Sequence, residues 1–286
     1  MRLVTRFAPS PTGYLHLGHV VNAIHVWGIA GARGGEMILR IEDHDRIRSR
    51  PEFEAALLED LGWLGFLPEG SECTCTRAPC TQTYRQSDRD KVYERALAEL
   101  RRTHHVYACD CSRRDIGGER YPGTCRARHL AEGPGRGLRL EFAPGVERCV
   151  DGLLGPQEQS PADQCGDLLL RDRNGHWTYQ FAVTVDDHRD GVTHVIRGAD
   201  LLSSTGRQMR LARMLGRAEP PEFLHHPILL NAAGEKLSKS SGDTGVRELR
   251  EAGVPAEDVI GRAAHAAGLI DRACPLAAAE IHRLFG

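Results

Sequence analysis

RFAPSPTGYLHLGH, residues Arg6–His19, holds a complete entry from a strand into a helix. A short apolar strand runs from Leu3 to Ala8, breaks at Pro9-Ser10-Pro11 and turns at Gly13. His16 and His19 follow with Gly18 between them, and an apolar helical run continues from Val20. The start of a helix gathers unpaired backbone N–H groups and the positive end of its dipole, so it suits an anion. The two histidines are three positions apart and share one face of the first turn. A pair of imidazole donors there can hold the phosphates of a nucleotide. The segment matches neither the GxGxxG nor the GxxxxGK pattern, which sets aside the usual dinucleotide and P-loop readings. The competing reading of these residues alone is a Pro-rich loop with two incidental histidines.

RFAPSPTGYLHLGH resembles the HIGH signature of class I aminoacyl-tRNA synthetases in its glutamyl form. Lys236-Leu237-Ser238-Lys239-Ser240 resembles the partner KMSKS loop, with Leu237 where the consensus has Met. The resemblance runs from Arg2 to about Ser241 and is strongest to the glutamyl-queuosine tRNA(Asp) synthetases, short paralogues of glutamyl-tRNA synthetase. It implies a ligase that uses ATP, accompanied by Mg2+, to activate L-glutamate. The glutamyl group would then pass to queuosine at the wobble position of tRNA(Asp). His16, Gly18, His19 and Lys239 would contact ATP, with Lys236 completing the catalytic set. The glutamate site would be Arg6, Phe7, Ala8, Pro9, Ser10, Glu42, Tyr179 and Arg197.

The chemistry of the residues agrees with several of these roles. Activation needs positioning and charge neutralisation around an α-phosphate rather than covalent help. Two lysines on a loop flanked by Gly234 and Ser240-Ser241-Gly242 can close on a triphosphate and reopen. A glutamate side chain calls for arginine, and Arg6 and Arg197 both stand at the ends of expected strands. Glu42 ends another strand and could accept from the substrate amino group, or serve as a structural ion-pair partner. Tyr179 could add a hydroxyl.

Nine cysteines in a chain read as cytoplasmic point to metal or scattered core thiols rather than disulfides. Cys109-x-Cys111, Tyr121 and Cys125 resemble the family's zinc site, one structural Zn2+ with tyrosine as the fourth ligand. Spacing alone leaves His104, His105, His129 and Cys73 open for that place, since three thiolates plus any one donor suit tetrahedral zinc. Cys73, Cys75 and Cys80 are read as loop thiols, with a second metal site as the alternative. Cys149, Cys165 and Cys274 look incidental.

Composition is that of an ordinary globular protein, and no apolar run is long enough to span a membrane. The N-terminus lacks a signal-peptide core, so a cytoplasmic protein is expected; a monomer is the expected state. The net charge of −2 gives no general attraction to nucleic acid, so RNA binding would need a local basic patch. Arg46/Arg48/Arg50, Arg101-Arg102 and Arg207/Arg210/Arg213/Arg217 are the candidates, each also readable as a solvated face.

Alternating strands and helices imply an α/β fold, a Rossmann-like doubly wound parallel sheet. Its halves are expected at residues 1–105 and 176–241, with a zinc-containing α+β insertion at 106–175. Residues 242–286 are expected as a short helical stalk with no anticodon-binding domain. Tyr179–Val185 reads as an apolar strand, 69–83 as turn-rich, and Pro51 as the first residue of a helix. Two further functions stay open: a truncated glutamyl-tRNA synthetase charging a tRNA 3′ end, and a catalytically silent, zinc-stabilised RNA- or protein-binding module.

Overall fold

The structure is a computed structural model that describes residues 2–67, 80–229 and 245–286. The first elements are β1 (Val4–Phe7), α1 (Leu17–Ala32), β2 (Glu36–Ile41), α2 (Pro51–Trp63) and β3 (Cys80–Arg85). Next come α3 (Asp90–Thr103), β4 (Val106–Cys109), α4 (Arg113–Ile116), β5 (Gly137–Leu140), β6 (Glu147–Asp151) and β7 (Gly155–Gln159). They lead to α5 (Pro161–Gln164), β8 (Leu168–Arg171), α6 (Tyr179–Arg189), β9 (His194–Gly198), α7 (Thr205–Met214) and β10 (Glu222–His226). The chain closes with α8 (Val246–Glu251), α9 (Ala256–Ala266) and a 3-10 turn at Ala278–Leu284.

Two compact units emerge. One comprises Met1–Arg85, Val192–Asp200 and Leu224–Gly286; the other comprises Gln86–Gly191 and Leu201–Phe223. The first unit carries the parallel sheet. Strands β1, β2 and β3 lie side by side in that order, all parallel. β9 adjoins β1: Thr193 N–H donates to the Val4 carbonyl, and the Arg6 side chain reaches the Ile196 carbonyl. Parallel strands buried on both faces are rich in apolar residues, and Met37, Ile38, Leu39 and Ile41 of β2 supply them around the buried Arg40. Phe7 meets Trp27 at 4.9 Å between ring centroids, and Trp27 meets Phe66 at 5.1 Å. Tilted pairs of this kind add about 0.5–1.5 kcal/mol each beyond their buried area.

Pro51 is the first residue of α2, as its fixed φ favours. The C-terminal segments, expected as a stalk, are instead built into this core through Val246, Val259, Ile260, Ala263 and Ile281. The stretch expected as turns ends in β3, whose polar sequence CTQTYR gives no apolar alternation. Its strand state comes from pairing with β2.

The second unit holds the antiparallel sheet β4-β5-β8 and the hairpin β6–β7. Tyr93, Leu97, Leu140, Trp177, Phe181 and Leu211 form its core. Tyr179–Val185, expected as a strand, belongs to helix α6. A short apolar run has no periodicity that separates the two states. Here Thr178 is extended and the chain turns helical directly after it. Residues Ala199–Ser204 form a 3-10 turn, and the chain becomes α-helical at Thr205. Pro227 follows β10 directly and offers no N–H to extend its ladder.

Candidate active site and metal centre

In the first unit the histidine pair forms the cap of α1. His16 is the N-cap residue; its Nδ1 accepts the Gly18 N–H at 3.1 Å. His19 Nδ1 accepts the His16 N–H at 3.1 Å, and the two rings lie 4.0 Å apart. This is a capping box written with imidazoles. It also sets the tautomer. A neutral ring whose Nδ1 accepts carries its proton on Nε2, so each ring presents Nε2 as its donor. Gly18 makes the arrangement possible, since a Cβ there would lie 2.9 Å from His16 Cε1 and 3.0 Å from Nδ1.

The turn before the helix is tied to two other elements. The Pro9 carbonyl accepts the Glu42 N–H at 3.0 Å, and the Pro11 carbonyl accepts the Arg50 N–H at 3.1 Å. Phe7 and Pro9 are buried; Ala8 and Ser10 are half-buried. Arg6, Glu42 and Arg197 stand at or just beyond the C-terminal ends of β1, β2 and β9, where open α/β sheets bind ligands. All three are buried. Arg6 Nη1 donates to the Ile196 carbonyl at 3.3 Å, and Arg197 Nε donates to His225 Nε2 at 3.0 Å. Glu42 Oε1 takes a 3.0 Å hydrogen bond from Arg40, which is fully buried. Glu42 is thus a structural ion-pair partner with its second oxygen not engaged by any described residue. Arg40 and His225 were not singled out from the sequence. Arg40 was legible in principle, because it lies two residues from Glu42 and side chains two apart share a strand face.

The other expected residues are distributed as follows. Tyr179 belongs to the second unit, half-buried in the first turn of α6. Lys236 and Lys239 lie outside the described residues, as do Cys73 and Cys75. The first described residue after the lysine segment is Gly245. It forms an isolated antiparallel bridge with His16, and Val246 N–H donates to the Leu15 carbonyl at 2.9 Å.

In the second unit Cys109, Cys111 and Cys125 place their sulfurs within 4.8 Å of one another. Cys111 and Cys125 are 3.5 Å apart at sulfur, and the Tyr121 hydroxyl lies 3.4 Å from Cys109 Sγ. Tyr121 Oη also accepts the Cys125 N–H at 2.8 Å. Burial, the hydrogen bond with Cys125 and the nearby Cys109 push the Cys111 thiol up to about 12. Burial pushes Cys109 upward too, but Tyr121 and Arg139 outweigh it and hold that thiol below its ordinary value. Three crowded thiols resist ionising together unless a cation sits among them, so the donor set fits a thiolate metal. Arg139 lies 3.8 Å over the Tyr121 ring and donates to Cys109 Sγ, placing a positive charge beside an anionic centre.

Tyr121 is held by a strict contact. Its N–H donates to the Cys165 carbonyl at 2.9 Å, and Gly166, at φ +66°, comes so close that a Cβ would sit 1.9 Å from the Tyr121 carbonyl oxygen. Among the described residues no histidine joins the cluster. His105 is turned to Glu141 at 2.9 Å and His104 to Thr103 at 2.7 Å. The Arg207/Arg210/Arg213/Arg217 group is partly consumed internally, because the buried Glu147 holds both Arg210 and Arg213. No helix among the described residues is long and apolar enough to cross a membrane.

The family model for tRNA synthetases class I (E and Q), catalytic domain, matches residues 2–264. The chain is 42% identical to the glutamyl-Q tRNA(Asp) synthetase of Nitratidesulfovibrio vulgaris, covering 95% of this chain and 88% of that protein. It is 39% identical to the protein of the same name from Symbiobacterium thermophilum, covering 99% and 92%. The solved glutamate-tRNA synthetase of Elizabethkingia anophelis aligns with a TM-score of 0.79 at 26% identity. That alignment covers 99% of this chain but 65% of the other, so the chain spans just under two thirds of that enzyme.

Proposed function

Because this chain belongs to the class I (E and Q) tRNA synthetases and is a ligase, we propose that it joins L-glutamate to queuosine on tRNA(Asp). The observation that carries the ATP half of this reading is the bridge between His16 and Gly245. Lys239 is tied to Gly245 by six peptide units, which span at most about 20 Å. Gly245, the first described residue after the lysine motif in sequence, adjoins the histidine pair, which supports one nucleotide being addressed by both motifs.

In the first step a glutamate α-carboxylate oxygen attacks the α-phosphorus of ATP. The bond to the bridging oxygen breaks and pyrophosphate leaves, with Mg2+ accompanying the phosphates. His16 and His19 donate from Nε2 to phosphate oxygens without changing protonation, and Lys236 and Lys239 neutralise developing charge. Arg6 and Arg197 bind the substrate side-chain carboxylate, and the second oxygen of Glu42 accepts from the amino group. In the second step a hydroxyl of queuosine's cis-diol attacks the acyl carbon and AMP leaves. An anticodon-loop base can splay out of its stack to be presented singly. Zn2+ held by Cys109, Cys111, Cys125 and Tyr121 is structural and fixes the β4–α4 segment.

Queuosine as acceptor is supported by the two relatives, both glutamyl-Q tRNA(Asp) synthetases. The test has two parts. ATP–pyrophosphate exchange with glutamate and no tRNA is expected for the wild type and is nearly lost in Lys239→Ala. Labelled glutamate is then offered to tRNA(Asp) with and without queuosine, and the product is digested with nuclease. Label on the wobble fragment supports the reading; label on the 3′-terminal adenosine overturns it in favour of conventional charging.

A further inference from the structure

We propose that His225 is a positioning residue for substrate choice: it holds Arg197 by Nε and thereby aims the guanidinium at the side-chain carboxylate of the amino acid. This rests on the reading above that Arg197 binds that carboxylate. Arg197 is 3% exposed and His225 fully buried, and they meet at 3.0 Å. An arginine side chain has several rotatable bonds, and a hydrogen bond at Nε fixes the plane of its head. The direction of the two terminal nitrogens, the pair that meets a carboxylate bidentately, is then fixed as well.

The bond also sets the state of the histidine. Nε2 is the acceptor, so the ring is neutral and its proton sits on Nδ1, the opposite tautomer to His16 and His19. A protonated His225 would turn an N–H toward the guanidinium and break the contact. Arg6 is held in a comparable way, by the carbonyl of Ile196, the residue before Arg197. Both arginines are thus anchored on acceptors from β9 and β10. The adjacent His226 points to the other side of β10, stacked on His25 at 4.5 Å and bonded to Asn22 at 3.1 Å. Two consecutive buried histidines therefore serve different faces, and only His225 addresses the arginine.

The experiment measures KM for glutamate, KM for ATP and kcat in pyrophosphate exchange for His225→Leu, His225→Gln and His225→Asn, with a thermal melt of each. Glutamine can carry its amide oxygen to the place of Nε2; asparagine falls one bond short. Leu and Asn are expected to raise KM for glutamate about tenfold or more, as loss of a hydrogen bond to a charged group implies, with KM for ATP little changed. Gln is expected to restore KM for glutamate to within about threefold of wild type. If His225→Leu does not fold, the Gln/Asn pair carries the comparison. The assignment is overturned if Gln and Asn behave alike, or if losses follow melting temperature and fall equally on ATP and glutamate. A wild type with no glutamate-dependent exchange overturns the glutamate reading itself, and the assignment with it.

Discussion

His16 and Gly245 face each other in an isolated antiparallel bridge, although 228 residues separate them in sequence (245 − 16 − 1). The contact ties the cap of α1 to the point where the chain leaves the lysine segment. Gly245 is thereby held against a histidine expected to touch ATP.

Gly18→Ala is expected to impair chemistry more than folding. Alanine is a good helix former, but its Cβ would displace the His16 ring. A misplacement of about 1 Å at a positioning group can cost about 10²-fold. Pyrophosphate exchange should fall by roughly that factor while the melting temperature changes little. Unchanged exchange would show that the ring position does not matter.

Cys111→Ser and Tyr121→Phe test the metal centre. Elemental analysis of the purified wild type should find one zinc per chain, and Cys111→Ser should lose it. Tyr121→Phe keeps the ring under Arg139 and removes only the oxygen. Weaker zinc retention during chelator titration would mark Tyr121 as the fourth donor; unaltered retention would exclude it.

Acid should destabilise the first unit through the stacked histidines. Burial, then the neighbouring His226, lowers His25 from 6.5 to about 4. Above pH 6.5 the ring is neutral in both folded and unfolded chains. As pH falls from 6.5 toward 4 the unfolded chain takes up a proton that the folded one refuses, so stability is lost across that window. The shift corresponds to about 3 kcal/mol. His25→Phe should flatten denaturation midpoints between pH 6.5 and 4; a curve with wild-type slope would place the sensitivity elsewhere.

Asp60 has the opposite sign. Burial raises its carboxyl to about 6, only partly opposed by Arg250 at 3.9 Å. Among the described residues its Oδ2 has no hydrogen-bond partner. The folded chain holds this proton more tightly than the unfolded one, so the group costs stability as pH rises through 6. Asp60→Asn should therefore stabilise the protein by about 1–2 kcal/mol at pH 8 and by almost nothing at pH 4. A benefit that is equal at both values would contradict the assignment.

The strand, turn and helix of residues 3–32, the helix start at Pro51 and the C-terminal helices were legible because they depend on neighbours along the chain. Pro fixes φ, apolar spacing sets a face, and both act within a turn or two. β3, α6 and the partner of Glu42 were not legible in the same way. A polar strand exists only because β2 runs beside it. An apolar heptapeptide takes the state its packing selects. A buried carboxylate is ligand or ion-pair partner according to which arginine reaches it first.

The sequence by itself determined the family, through two motifs whose residue types ATP chemistry requires. It also supplied the three thiols that the structure gathers within 4.8 Å of one another, since they must be present before they can be gathered. The tertiary structure alone decided which ring nitrogens carry protons at His16, His19 and His225, and that Arg197 is held from behind. Hydrogen bonds between residues distant in the chain set those states, and a linear order of residues does not contain their directions.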